Sequence, residues 1–464
     1  MTDGGLASAI LADVLARAGV PLRPGEEIGF AGADPVFPTT HRMGELGAAA
    51  IAAAALQAAR LYEDRTGRAQ RVDVEVDAAA AAMRSWRYLR QEPLGPRLDR
   101  APVGFYETRD GRWILLHMML EHHHARALAV LGCTGDVDAV AAAVRGWDGA
   151  ALEEAIVAAG GCAALVRSAE EWAAHPQARA IAGLPLFRLT RTGDSAPEPA
   201  GEGARPLGGI RVVDATRVLA GPTAARALAE FGADVIRVNP PHLPELGPMP
   251  LDTGHGKRST ELDLRTPEGV AAMRALVAGA DVFSQGYRPG SLERHGLSAA
   301  ELTALRPGLV TVSISAWGAS GPWADRRGYD SLVQAASGVS AETGGAGERP
   351  RSLPGNPLDY VTGYLAAFLV EVALGRRARE GGSYHVELSL AQTGRYLDDL
   401  PRVDADEAAA ASPELAPERL DALMMEGDTP AGRLRHLRPV ARLPLTPAGW
   451  DRPAVPRDHD APRW

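Results

Sequence analysis

From Ile210 onward the chain alternates short β-branched runs with helical runs, and no other feature narrows the fold as much. Ile210 to Asp214 reads as a strand, Ala220-Gly221-Pro222 as a turn opening a helix to Phe231, and Ala233 to Val238 as the next strand. A helix over Pro267 to Ala278 leads into a strand at Asp281 to Ser284, and Leu309 to Ser315 is another. Strands separated by helices can pair side by side only in parallel. The expectation is therefore an α/β, Rossmann-like sheet with a ligand cleft at the carboxyl ends of its strands. No G-x-G-x-x-G follows the first strand, which argues against a nicotinamide enzyme.

Ahead of this block the pattern is mixed. A helix is expected over Leu6 to Ala18, an Ala-rich helix over 47–62, a strand over Arg71 to Val76 and a helix over Ala78 to Leu89. Gly104 to Leu116 reads as a hairpin turned at Asp110-Gly111. Residues 189–206, polar and rich in Pro and Gly, read as a linker. The division expected is a helix and loop (1–44), a region with a smaller α+β domain (45–188), the linker, a nucleotide-type domain (207–400) and a return segment (401–464).

A repeat relates the halves. Gly67 to Val76 with its flanking helices resembles Gly381 to Leu390, and both following helices end Arg-Tyr-Leu (Arg87 to Leu89, Arg395 to Leu397). The offset sets Glu45 opposite Asp359. Asp359 stands at the start of an apolar helix, where free N–H groups and the positive end of the helix dipole favour an anion. It reads either as an ordinary helix cap or as a nucleophile, and Glu45 as a remnant.

The function classes narrow further. A net charge of −9 opposes nucleic acid as a partner, while local Arg clusters suit a small anion. Two cysteines, Cys133 and Cys162, are too few for a disulfide framework and fit a reducing, cytoplasmic setting. The acids Asp3 and Asp13 speak against a signal peptide, and the apolar run Gly47 to Ala59 is too short to span a bilayer. No membrane association is expected. Glu121-His122-His123-His124 invites a metal, but adjacent residues on a helix point apart, and no metal is expected there.

Val213 to Pro222, Phe231 to Val238, Gly256 to Gly269, Tyr287 to Arg294, Gly318 to Trp323 and Gly328-Tyr329-Asp330 lie in the order seen in the class III CoA-transferases. That family includes formyl-CoA and carnitine CoA-transferases and the α-methylacyl-CoA racemases. Thr66 to Val74, Asp110 to Trp113 and His175-Pro176-Gln177 resemble the second half of the same family, and Arg438 to Trp464 its return segment. The resemblance implies a duplicated, rearranged domain order.

It also implies a chemistry. Asp359 falls on the catalytic aspartate, and Val218, Leu219, Leu262, Arg265, Tyr287, Arg294 and Arg327 on the contacts to coenzyme A. The implied substrates are an acyl-CoA and a carboxylic acid, the implied assembly a homodimer. Backbone amides at the Gly338 and Gly363 turns are candidate oxyanion donors by position. Tyr329 stands where the racemases of the family carry a His base, thirty residues before the aspartate, which favours transferase over racemase. The chain departs from the family pattern at Gly254-His255, Gln285-Gly286 and Asn239, and has no run of glycines to form a lid. A CoA-binding paralogue without activity is the non-enzymatic alternative.

Overall fold

The computed structural model describes residues 5–93, 102–345 and 347–464. The expected alternation produces a seven-stranded sheet. Its spatial order is Lys257–Glu261, Asp234–Asn239, Arg211–Ala215, Val282–Gln285, Val310–Ser315, Ser383–Ser389 and Phe187–Gly193. The first six pair in parallel, and Phe187–Gly193 closes the far edge antiparallel to Ser383–Ser389. The chain builds outward from Arg211–Ala215 for two strands, then returns to its other side with Val282 opposite Val212. This reversal opens a crevice beyond the carboxyl ends of Arg211–Ala215 and Val282–Gln285.

Strand alternation sends neighbouring side chains to opposite faces. Val212, Val235 and Val310 pack with the helices Ala220–Glu230 and Pro357–Glu380, whereas Val213, Ile236 and Phe283 pack with Met273, Leu276 and Leu302. The helix Pro357–Glu380 is apolar nearly all round, as befits a helix with protein on every side. It alone is long and apolar enough to cross a membrane among the described residues, and that stretch is wholly buried inside the protein. Its first turn accepts Pro357 without loss, since that position has no helical acceptor for an N–H. Gly363 lets it cross the Ala220–Glu230 helix closely: a Cβ there would lie 2.5 Å from the Ala220 carbonyl oxygen and 2.7 Å from Thr223 Cβ.

The N-terminal part supplies the helix Met43–Thr66, which packs against Pro357–Glu380, and the smaller α+β unit. The expected hairpin forms as Gly104–Glu107 and Trp113–Leu116, and Ala163–Leu165 adds a third antiparallel strand. The helices Glu121–Leu131, Val137–Val144 and Gly149–Ala158 cover it around a separate core of Leu116, Leu131, Val144 and Ile156.

Two stretches differ from expectation. Residues 189–193 of the expected linker continue the edge strand, and the rest is pinned rather than loose. Glu198 pairs with Arg306 at 2.6 Å, and Gly382 N–H donates to Ser195 Oγ at 2.9 Å. Alternation in Phe187–Gly193 is weak because most of the strand faces solvent, so the polar composition masked it. The tail also does more than return. Asp460 exchanges hydrogen bonds with Ser259 and Trp464 donates to the Leu276 carbonyl, covering the open edge at Lys257–Glu261.

Candidate active site

The turn after the first sheet strand is held by buried charge. Lys257 Nζ lies 2.8 Å from Asp214 Oδ2, both side chains are sealed from solvent, and the ammonium also donates to the Pro222 carbonyl at 2.7 Å. Asp214 Oδ1 accepts from the Thr216 amide at 3.1 Å and from its hydroxyl. Burial lowers the Lys257 pKa to about 8, with Asp214 opposing the shift. These bonds fix Thr216 to Pro222, and within that span Val218 takes φ +71°, a costly value for a β-branched residue. Strain there is tolerated because both flanks are tied down.

Opposite this turn, Asp359 sits on the first turn of Pro357–Glu380. Asp330 opens the short helix Asp330–Ala336, and its Oδ2 accepts from the Asp359 backbone N–H at 3.0 Å. Gln334 donates to Asp330 Oδ1. Two carboxylates are thus buried side by side. Burial pushes the Asp330 carboxyl up to about 7. Burial first and the Asp330 charge second raise that of Asp359 well above the usual range, against the Ala220 amide at the head of the neighbouring helix. Like charges in one buried site cannot both ionise freely, so the pair titrates as a unit.

Asp359 lines a cavity of about 600 Å³ at the crevice of the sheet. Val218, Arg265, Tyr287, Arg294 and Arg327 line the same cavity. Leu219 and Leu262 do not: Leu219 is buried in the main core and Leu262 lies in the apolar cluster against which Tyr287 packs. Five of the seven expected binding residues thus share the cavity with Asp359, and the other two lie packed outside its lining. Gly338 and Gly363 also lie elsewhere. Gly338 abuts Ala169, and Gly363 is within the long helix, whereas the amide that faces the carboxylate is that of Ala220.

Six arginines line the cavity, and among the described residues Asp359 is its one carboxylate. Arg217, Arg288 and Arg326 join the expected arginines, and the first two lie inside the family-like motifs Val213 to Pro222 and Tyr287 to Arg294. A cavity with this balance suits a polyanion carrying phosphates, which guanidinium groups bind with paired N–H donors.

The smaller unit supplies part of the cavity wall. Gln177 of the His-Pro-Gln motif is fully buried, donates to the Trp317 and Ser320 carbonyls at 2.9 and 2.8 Å, and accepts from the Trp323 amide at 2.7 Å. It clamps the smaller unit to the turn Gly318 to Trp323. Leu120, His122 and His123 then reach the cavity wall. The three histidines diverge on their helix as expected: His123 is buried, His122 half-buried, and His124 packs toward Gly135. Tyr329 stacks on His117 with ring centroids 4.1 Å apart and planes parallel. Burial raises its phenol far above neutrality, so it cannot serve as a base there.

A second polar group lies apart from the cavity. His41, Glu342 and Asp398 bring ligand atoms within 4.8 Å of one another. Arg402 already pairs with both carboxylates, at 2.6 Å to Glu342 Oε1, so the group is bound by a cation of the chain itself.

An α/β sheet of this order, with a cationic cavity at its strand reversal and a buried acid at a helix start, defines an α/β protein whose cavity is suited to an anion. The profile of CoA-transferase family III matches residues 14–186 and 207–446, and the chain belongs to that family. It is 36% identical to an acyl-CoA transferase of Gibberella moniliformis over 64% of this chain and 56% of the relative. It is 37% identical to a succinate–glutarate CoA-transferase of Agrobacterium fabrum, over 40% of this chain and 51% of that one. A succinyl-CoA–L-malate CoA-transferase alpha subunit of Chloroflexus aurantiacus is 35% identical over 43% and 50%. The chain thus spans about half the length of the curated relatives it matches. A CAIB/BAIF family crystal structure from Brucella suis is 30% identical, covers 50% of this chain and 65% of its own, and superposes with a TM-score of 0.40.

Proposed function

We propose that this chain transfers coenzyme A from an acyl-CoA thioester to a carboxylic acid, with Asp359 as the nucleophile. The observation that carries the reading is that, among the described residues, Asp359 is the one carboxylate lining a cavity walled by six arginines. The arginines suit the phosphates of coenzyme A, and a carboxylate suits acyl exchange because its anhydride is at least as reactive as the thioester.

An Asp359 oxygen attacks the acyl carbon, the C–S bond breaks, and CoA leaves as thiolate. The thiolate attacks the aspartyl carbon of the anhydride, forms aspartyl-CoA, and releases the donor acid carrying the former aspartate oxygen. The acceptor carboxylate attacks aspartyl-CoA, and the thiolate then takes the acceptor acyl group and frees Asp359. The N–H group of Ala220, at the head of a helix of 11 residues, lies beside the reacting carboxyl and favours its negative charge. Asp359 is itself 6% exposed, which limits the approach of water to the anhydride.

Each turnover leaves an acceptor oxygen in Asp359. Incubation with an acyl-CoA and an acid labelled with oxygen-18, followed by peptide mass analysis, tests this: the Asp359 peptide gains label. An unlabelled peptide alongside active transfer excludes the covalent route. The racemase reading, by contrast, needs a base at Tyr329, where burial holds the phenol protonated.

A further inference from the structure

The smaller unit brings one more group to the cavity, and its protonation is set by a neighbour. His123 is 1% exposed, and its Nδ1 lies 3.6 Å from Cys162 Sγ. Its ring meets Tyr329 edge-on, with centroids 5.9 Å apart, and its side chain forms part of the wall of the cavity that holds Asp359. Nε2, on the ring edge away from the thiol, has no hydrogen-bond partner within the chain among the described residues.

Chemistry decides where the protons sit. Burial, then His122 and His117, then Arg327 and Arg126 push the His123 pKa down to about 3. Burial pushes the Cys162 thiol up to about 12, against the arginines Arg327, Arg126 and Arg288. Tyr329 in the cavity wall and His117 stacked on it stay uncharged as well, the phenol raised and the imidazole lowered to about 4, both by burial. Across neutral pH the imidazole therefore holds one proton and the thiol keeps its own. An imidazole nitrogen accepts a hydrogen bond better than sulfur does, so the S–H donates to Nδ1 and the ring proton resides on Nε2.

Resting on the transferase reading above, we propose that His123 is a neutral hydrogen-bond donor, held in its Nε2–H tautomer by Cys162, to the carbonyl oxygen of the acyl group that Asp359 attacks. The donor stabilises charge as it develops on that oxygen. Its neutrality matters equally. An imidazolium in this place would pair with Asp359 and blunt the nucleophile, whereas a neutral N–H polarises the carbonyl without competing for the carboxylate. No proton is transferred: the Asp359 oxygen forms the new C–O bond, the C–S electrons leave on sulfur, and His123 keeps its hydrogen.

The test uses the full chain with ¹⁵N-labelled histidine. Imidazole NMR between pH 5.5 and 8.5 reads the tautomer, first free, then with CoA, then with acetonyl-dethia-CoA, which keeps a carbonyl but has no scissile thioester. The expected result is an Nε2–H tautomer at every pH, and an Nε2 shift that moves with the carbonyl analogue and not with CoA. Cys162→Val releases the tautomer into a mixture. In transfer assays His123→Phe lowers kcat by about 10²–10³-fold with CoA affinity unchanged, while His123→Gln, which keeps a neutral donor near the same point, stays within about 10-fold of the parent. An Nδ1–H tautomer, an imidazolium at pH 6, an Nε2 resonance indifferent to the carbonyl, or a His123→Phe variant with parental kcat each overturns the assignment. If the parent transfers no acyl group, the transferase reading fails, and the NMR response to the carbonyl analogue still decides the role of His123.

Discussion

Two helices of this protein begin alike and end in different chemistry. Met43–Thr66 and Pro357–Glu380 each run 24 residues, each has an acid as its third residue, and each is followed by a strand that pairs in parallel. In each, an upstream aspartate accepts from the backbone of the helix start: Asp34 Oδ2 from the Glu45 N–H at 2.9 Å, Asp330 Oδ2 from the Asp359 N–H at 3.0 Å. Burial raises the carboxyls of both capping residues, Asp34 to about 6 and Asp330 to about 7. The difference lies one step outward. Glu45 is paired with Arg42 at 3.1 Å, and Arg42 is itself held by the Asp34 and Pro401 carbonyls. Among the described residues no such cation pairs with Asp359, which faces the open cavity instead. On the transferase reading proposed above, the same local fold buries one acid as structure and the other as a reagent, and the presence of a local countercharge distinguishes them.

The sharpest way to break this comparison is to delete each acid. Asp359→Ala is expected to lower CoA transfer by at least about 10³-fold, as removal of a covalent nucleophile does. Glu45→Ala should leave kcat within about threefold and instead lower stability by roughly 1–3 kcal/mol, because Arg42 loses its partner. Transfer assays and denaturant unfolding on both variants read the two effects, and a Glu45→Ala enzyme as inactive as Asp359→Ala would erase the distinction.

The pair at the active helix also makes a pH signature. Asp330 and Asp359 have folded pKa values above their unfolded ones, so their protonated forms favour the folded state. The stabilisation is complete below the unfolded value of 3.8, and for Asp330 it is lost as pH rises through about 7. Asp359→Asn cannot ionise, so its stability should exceed that of the parent at pH 8 by about 1–3 kcal/mol and converge with it at pH 4. Urea unfolding at the two pH values measures this, and equal differences at both would remove the coupling. In the same vein, Asp330→Asn removes the like charge and should shift the acidic limb of kcat/KM to lower pH, since less repulsion then opposes ionisation of Asp359. A limb that stays in place assigns it to another group.

Much of this was legible from residue order. The parallel sheet follows from alternation alone, and the observed bounds of Pro267–Ala278 match the pattern to the residue, whereas the turn read at Ala220-Gly221-Pro222 is already helical. The repeat likewise pointed to Glu45 and Asp359 before their helices were seen to share a length. What escaped was tertiary. Phe187–Gly193 carries a solvent pattern, and its pairing depends on an edge offered by residues almost two hundred positions later. Leu219 and Leu262 occupy motif positions, yet burial places them behind the cavity wall. The His run carries no metal-binding spacing. The value of His123 lies in Cys162 and Tyr329, which only the packing of the smaller unit brings beside it.

The smallest effect sharpens the view of the turn across from Asp359. Val218→Gly relieves the positive φ and should raise stability by up to about 1 kcal/mol, while removing a side chain from the cavity wall. Thermal unfolding with and without CoA separates relieved strain from lost binding, and a destabilised variant would show that the valine packs more than it strains.

The central claim is that Asp359 carries the acyl group and Glu45 does not. The most direct measurement is peptide mass spectrometry after incubation with a panel of acyl-CoAs and hydroxylamine, which converts an acyl-aspartate to a hydroxamate. The account predicts a hydroxamate on the Asp359 peptide, none on the Glu45 peptide, and none anywhere in Asp359→Ala. Binding of acyl-CoA with no hydroxamate on Asp359 for any donor, or with the adduct on Glu45, would contradict it.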